Sequence, residues 1–189
     1  MNKKKLLLYV TLGQLIFISF LWACYLIHPD IVDGPGGFSN YGVMQPTIFL
    51  YSGAFLGAGL FTLAGAKQLS DKPVARRYLV GLGVGYLVIL LSTYPYQLHA
   101  VLNYTHTILG TLFFGYILFL SSWLLRIAPK HLFIMLGAVT LSTGTLMGLL
   151  SLPAIVDLLS QAQAIFTVGF AILLIAGVHQ MTKEVQATV

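Results

Sequence analysis

The chain has 189 residues, of which 58% are hydrophobic and only 8% are charged. Soluble globular domains typically carry about 25% charged residues, so the composition excludes a soluble domain and predicts an integral membrane protein. The net charge of +5 at pH 7 does not indicate nucleic-acid binding, because the basic residues occupy the short segments between apolar stretches.

Six apolar segments predict six membrane-spanning helices, since each crossing needs about 20 mainly apolar residues. We place these helices at residues 6–28, 47–66, 78–94, 97–125, 132–152 and 161–181. The connections are short, so helices adjacent in sequence are expected to pack as antiparallel neighbours. The predicted fold class is therefore all-α, a six-transmembrane-helix bundle formed by residues 1–189 as a single domain.

The first segment has the basic start and apolar stretch of a secretory signal, ending at Cys24. Trp22 is bulky where a cleavage site needs a small residue, and the apolar run continues through Ile27. We therefore predict an uncleaved first helix. Because Cys24 is the only cysteine, the chain cannot form an internal disulfide.

The basic residues predict the orientation of the bundle. All ten fall on one side of the predicted helices, namely Lys3, Lys4, Lys5, Lys67, Lys72, Arg76, Arg77, Arg126, Lys130 and Lys183. By the positive-inside rule that side is the cytoplasm, and both termini are cytoplasmic. Three of the five acidic residues, Asp30, Asp33 and Asp157, then lie on the extracytoplasmic side.

Small residues at a spacing of four favour close helix packing in lipid, where the hydrophobic effect does not hold helices together. Such pairs occur in three predicted helices: Gly53 and Gly57, Gly81 and Gly85, and Gly144 and Gly148. Contacts within the bundle account for these pairs, and the same faces permit an oligomer. The remaining expected partners are membrane lipids.

Polar residues collect near the predicted extracytoplasmic face, whereas no Lys, Arg, Asp or Glu lies in the middle of a predicted helix. That distribution disfavours an ion-coupled transporter or proton pump, which need ionisable groups at depth. Candidate metal or catalytic residues at this face are His28, Asp30, Asp33, His99 and His106. Candidate ligand-binding residues are Ser39, Asn40, Tyr41, Asn103 and Asp157.

The spacing of His99, Asn103 and His106 places them on one face of the fourth helix. Histidines and aspartates from several segments are ligands that zinc accepts, and a histidine oriented by an aspartate is a general base. A metal-dependent lipid hydrolase using His99 and His106 with Asp30 or Asp33 is therefore one alternative. Against it, the chain has no HExxH or GxSxG motif.

A haem-binding protein is a further alternative, because histidine is a common axial ligand. It would use His28 or His106 with His131 and His179. The last two lie at helix ends beside basic segments, whereas haem ligands must face one another inside the bundle. A small transporter is also possible, but it requires a continuous polar path that the sequence does not contain.

Three stretches resemble the six-helix membrane proteins of bacteria and archaea grouped as the domain of unknown function 998 family. They are "GGFSNYG" (36–42), "PTIFLYSGAFLGAGLF" (46–61) and "YTHTILGTLFFGYILFLSSWLL" (104–125). The resemblance covers the first four helices best. It implies the six-helix fold and a prokaryotic cytoplasmic membrane, but it brings no established activity.

We predict a multi-pass membrane protein that binds a small polar or lipid-headgroup ligand in a polar cup on its extracytoplasmic face. The cup is built from the first loop, the start of the fourth helix and the segment before the sixth. The sequence favours binding, sensing or assembly over catalysis. No cofactor is expected, and zinc enters only with the hydrolase alternative.

The orientation is testable with an impermeant thiol reagent on intact cells. A cysteine introduced into the 67–77 segment is expected to stay unlabelled, because a cytoplasmic loop is shielded by the membrane. Labelling from outside would reverse the orientation and place the polar cup in the cytoplasm.

Overall fold

A computed structural model describes residues 2–29, 37–95, 98–127, 131–151 and 159–183. Its six α-helices are α1 (Lys3–Ile27), α2 (Ile48–Ala66), α3 (Pro73–Thr93), α4 (Ala100–Ile127), α5 (Leu132–Ser151) and α6 (Leu159–Lys183). A 3-10 helix covers Gly37–Gly42. All six α-helices are long and apolar enough to cross a membrane, which confirms the all-α fold class and the helix count.

The predicted helix bounds differ from the structure chiefly at α3 and α4. Helix α3 begins at Pro73 rather than 78, so Arg76 and Arg77 belong to its first turns. Long basic side chains extend from such turns towards the headgroups, so they do not end a membrane helix. Helix α4 begins at Ala100 rather than 97, because a turn in which Leu98 N–H binds the Pro95 carbonyl precedes it.

The chain divides into two compact units: residues 1–28 with 41–119, and residues 29–40 with 120–189. In unit 1, α1 packs on α2 and α2 packs on α3. Gly59 and Gly83 set the closest approach of α2 and α3, since a Cβ on either would lie within 3.1 Å of the other's carbonyl oxygen. The predicted glycines Gly53 and Gly57 accommodate side chains of α1, as packing in lipid requires.

Within unit 1, α4 meets α3 through long side chains rather than through close backbone contact. The rings of Phe113 and Tyr116 lie where side chains at Gly85 and Gly81 would otherwise be. The Tyr116 hydroxyl also donates a 2.7 Å hydrogen bond to the Tyr78 carbonyl of α3. The predicted pair of α3 glycines therefore accepts aromatic rings instead of another helix backbone.

In unit 2, α5 and α6 pack backbone against backbone. A Cβ at Gly144 would lie 2.7 Å from the Phe166 Cα, and a Cβ at Gly137 would lie 2.7 Å from the Leu173 nitrogen. Gly148, the second member of the predicted pair, leaves more room, with its nearest neighbour at 3.8 Å. Gly137 and Gly144, two helical turns apart, thus define the α5 packing face.

We expect Gly144→Ala to lower the free energy of unfolding by about 1–3 kcal/mol, because the added methyl group overpacks the α5–α6 contact. Gly115→Ala on α4 is the matched control, since no described atom lies within 4 Å of a Cβ there. The control should be neutral or stabilising by up to about 1 kcal/mol through helix propensity. Unfolding in mixed micelles measures both, and equal effects would contradict the packing described.

Candidate functional site

The beginning of α2, the end of α3 and the beginning of α4 form a layer of polar side chains in unit 1. Three consecutive residues at the end of α3 take part, and each contacts a different side chain on a neighbouring helix. Hydrogen bonds join Ser92 Oγ to His106 Nδ1 at 2.9 Å, Thr93 Oγ1 to the Tyr51 hydroxyl at 3.1 Å, and Tyr94 to Ser52 Oγ at 2.6 Å. We call these six residues the polar end of unit 1.

The direction of each bond follows from the backbone acceptors. Ser52 Oγ donates to the Ile48 carbonyl and Thr93 Oγ1 donates to the Ile89 carbonyl at 2.8 Å. A hydroxyl has a single proton to donate, so Tyr94 and Tyr51 must be the donors to Ser52 and Thr93. Each tyrosine hydroxyl therefore donates to a serine or threonine hydroxyl, which in turn donates to a carbonyl of its own helix.

The same reasoning assigns the protonated nitrogen of His106. Ser92 Oγ lies 2.9 Å from the Ile89 carbonyl, which can only accept. When Ser92 Oγ donates its proton to that carbonyl, His106 Nδ1 is the donor in the bond to Ser92. Only 9% of His106 is exposed, so this bond fixes the orientation of a nearly buried imidazole and links α3 to α4.

His99 and Asn103 continue the polar face of α4 from His106 towards the surface. Both side chains are exposed. His99 precedes the helix, where its Nδ1 accepts the Val101 N–H at 3.2 Å and its carbonyl accepts the Asn103 N–H at 3.0 Å. Asn103 and His106 therefore lie on α4 and His99 lies directly before it, with His106 buried and the other two exposed.

Tyr41 and His28 are also in contact within unit 1. Tyr41 is fully buried, and its hydroxyl donates a 3.1 Å hydrogen bond to the His28 carbonyl at the end of α1. The Tyr41 carbonyl accepts Thr47 Oγ1 at 3.0 Å, directly before α2. Tyr41 is therefore a buried anchor between α1 and α2, whereas His28 contributes its backbone to this contact.

In unit 2, the 3-10 helix is attached to α6 through Gln163. Gln163 Oε1 accepts the Phe38 N–H at 2.8 Å. Gly37 has a φ of +52°, a conformation that side chains rarely adopt, and a Cβ there would lie 2.9 Å from Gln163 Cδ. Ser39 and Asn40, in the next turn, are half-buried.

The candidate metal site is only partly described. Among the described residues, no three His, Cys, Asp or Glu side chains are arranged to hold a metal ion. Asp30 and Asp33, the acidic metal candidates, lie outside the described residues, as does Asp157, a ligand-binding candidate. The zinc site therefore remains a prediction.

Sequence reasoning missed most of the polar end. Ser92, Thr93, Tyr51 and Ser52 lie inside apolar helices, where single hydroxyl residues ordinarily indicate packing or bonding to their own helix. The available signal was the uninterrupted triplet Ser-Thr-Tyr at residues 92–94, immediately before Pro95. Three hydroxyl groups in one helix turn cannot all face the same neighbour, so the triplet indicates contacts with more than one helix.

Comparisons with protein-family models, curated proteins and solved structures find no match to this chain. The resemblance to the domain of unknown function 998 family therefore stays a prediction.

Ser92→Ala should lower the free energy of unfolding by about 0.6 kcal/mol and by at most about 1.7 kcal/mol, the mean and the maximum measured for interhelical hydrogen bonds in a membrane protein. The matched control is Thr107→Ala, whose exposed hydroxyl bonds only the Asn103 carbonyl of its own helix. Unfolding in mixed micelles should show no loss for the control. Equal values for the two variants would mean that Ser92 does not stabilise the α3–α4 contact.

Proposed function

We propose that this polytopic membrane protein binds a small polar or lipid-headgroup ligand at the polar end of unit 1. The observation that supports this proposal is the row of polar residues at the start of α4, from buried His106 through exposed Asn103 to exposed His99 just before the helix. Burying an imidazole in a membrane helix costs free energy unless it is hydrogen-bonded, and such groups often mark ligand pathways. Binding, rather than catalysis, is the proposed activity.

The charge of this region favours a ligand that is uncharged or carries an amine. Residues 41–47 and the described residues of 92–105 include no lysine or arginine. A phosphate or carboxylate alone would meet no permanent cation there. Hydroxyl and ammonium groups, in contrast, can donate to imidazole and amide acceptors.

Exposed aromatic side chains support a position of this region at the level of lipid headgroups. Trp22 and Tyr25 stack near the end of α1 with ring centroids 5.3 Å apart, and both are exposed. Tyr94 and Tyr104 are exposed at the end of α3 and the start of α4. Exposed tryptophan and tyrosine concentrate at membrane interfaces, which supports a headgroup as the ligand.

The three alternative functions each need an arrangement of residues that the described hydrogen bonds do not include. The metal-dependent lipid hydrolase needs Asp30 or Asp33 beside His99 and His106, and the described contacts join His106 to Ser92 instead. The haem-binding alternative needs histidines of both units, and the transporter needs a polar path across the membrane. No contact in the described part of the chain favours any of the three over ligand binding.

We also propose the membrane and the orientation that the sequence predicts. The protein would lie in a bacterial or archaeal cytoplasmic membrane, with both termini cytoplasmic and the polar end of unit 1 facing outwards. Support comes from the distribution of basic residues and from the family resemblance. Membrane lipids would then be its principal partners.

Histidine-selective 15N NMR of the purified full chain tests the binding proposal. Short-chain phosphatidylethanolamine, titrated below its micelle concentration, should shift the imidazole signals of His99 and His106. The signals of His131 and His179, which belong to unit 2, should not move. No shift, or equal shifts of all histidines, would overturn the proposal.

Asn103→Ala should weaken this binding about two- to tenfold, the loss expected for one hydrogen bond. Thr107→Ala, one turn further along α4, is its control and should leave the affinity unchanged. Elemental analysis of the same preparations addresses the hydrolase. Stoichiometric zinc that is lost in His106→Ala would favour the enzyme over the binding protein.

A further inference from the structure

We propose that the opposite end of unit 1 is a binding surface for an anionic membrane lipid. Seven basic residues lie there with one acidic residue, Asp71. They are Lys3, Lys4, Lys5, Lys67, Lys72, Arg76 and Arg77. We call these seven residues the basic end. This inference rests on a different part of the molecule from the ligand proposed at the polar end and does not depend on it.

Helix contacts bring these residues together at one end of three helices. Leu6 and Val10 of α1 pack against Gly65 near the end of α2, with Val10 Cγ2 3.1 Å from a Cβ built at Gly65. The turn that follows α2 is held by local backbone bonds from Gln68 to Gly65 and from Lys72 to Leu69. It leads directly into α3, so the basic residues of all three helices share this surface.

Most of this positive charge is not neutralised within the protein. Lys4, Lys5, Lys67, Arg76 and Arg77 are exposed. In the described part of the chain, no carboxylate forms an ion pair with any of these five. The positive-inside rule accounts for the side of the membrane on which such residues lie, but it does not require them to converge without acidic partners.

The helix directions add to the same positive potential. Both α1 and α3 begin at this end, and neither has an acidic residue in its first turn. The N-cap of α3 is Lys72, whose side chain makes no capping hydrogen bond. Helix N-termini carry partial positive charge and are stabilised by anions. Here the first turns contain lysine and arginine, and Asp71 is the single acidic residue of this end, so an anion from outside the chain would add to the compensation.

A lipid with an anionic phosphate headgroup meets these requirements. Clusters of four to eight basic residues next to a membrane helix attract anionic lipids. Arginine binds phosphate with two parallel hydrogen bonds, and lysine adds a point charge. In a membrane crossed by α1, α2 and α3, the basic end would lie at the depth of the headgroups, where such a lipid is found.

Thermal unfolding of the purified full chain in nonionic detergent tests this proposal. Added phosphatidylglycerol should raise the Tm in a saturable manner, whereas equal phosphatidylcholine should not. Arg76→Gln and Lys67→Gln should each shift the midpoint of the phosphatidylglycerol titration about fivefold to higher lipid concentration. The stabilisation should weaken in about 0.5 M NaCl, because salt at this concentration shortens the Debye length to a few ångströms and screens the attraction between the basic residues and the lipid phosphate.

Arg126→Gln is the matched control, because Arg126 is an exposed arginine of unit 2. It should leave the titration midpoint unchanged, and a shift equal to that of Arg76→Gln would overturn a defined lipid surface. Arg76→Lys keeps the charge and should retain most of the response even if Arg76→Gln folds poorly. Equal stabilisation by phosphatidylcholine, or by inorganic phosphate at the same concentration, would also overturn the proposal.

Discussion

Close approach of helix backbones is the constraint on which the two units depend. Lipid offers no hydrophobic driving force between helices, so contacts must come from surfaces that fit closely. Gly59 faces Gly83 between α2 and α3, and Gly137 and Gly144 face the backbone of α6. These positions have no room for a side chain. The glycine positions on a helix surface therefore determine which of its faces packs against the neighbouring helix.

The contact between α3 and α4 follows a different principle. Aromatic rings of α4 fill the space beside Gly81 and Gly85, and a hydrogen bond from His106 to Ser92 joins the helix ends. Such a contact is directional and polar. It leaves the beginning of α4 more exposed than any other helix of unit 1, with His99, Asn103 and Tyr104 on its surface. A ligand that reaches this unit from the headgroup region would meet these residues first.

Hydropathy was sufficient to predict the six helices, and glycine spacing predicted the backbone contact at Gly144 but not those at Gly59, Gly83 and Gly137. The close approach of Gly144 to α6 was predictable from the spacing of Gly144 and Gly148, because small residues on one face of a membrane helix usually allow another helix to pack closely. The start of α3 did not follow, because Arg76 and Arg77 resemble loop residues until their side chains are allowed to extend along the membrane interface.

The polar end was harder to predict because its partners are distant in sequence. Tyr51 and Thr93 are separated by 42 positions, and a single tyrosine in an apolar helix does not indicate its partner. His106 was recognisable as a polar residue on a helix face, but its bond to Ser92 required the relative rotation of α3 and α4. Glycine 37 was part of a conspicuous stretch, yet only its φ and the position of Gln163 explain the residue type.

The bond between Phe38 and Gln163 also has a consequence for biosynthesis. Its two residues are 125 positions apart. At typical synthesis rates, roughly 6–25 s separate the emergence of these two residues from the ribosome. Phe38 can therefore gain this bond only after Gln163 has been synthesised, so the start of the 3-10 helix is without its α6 partner for that interval.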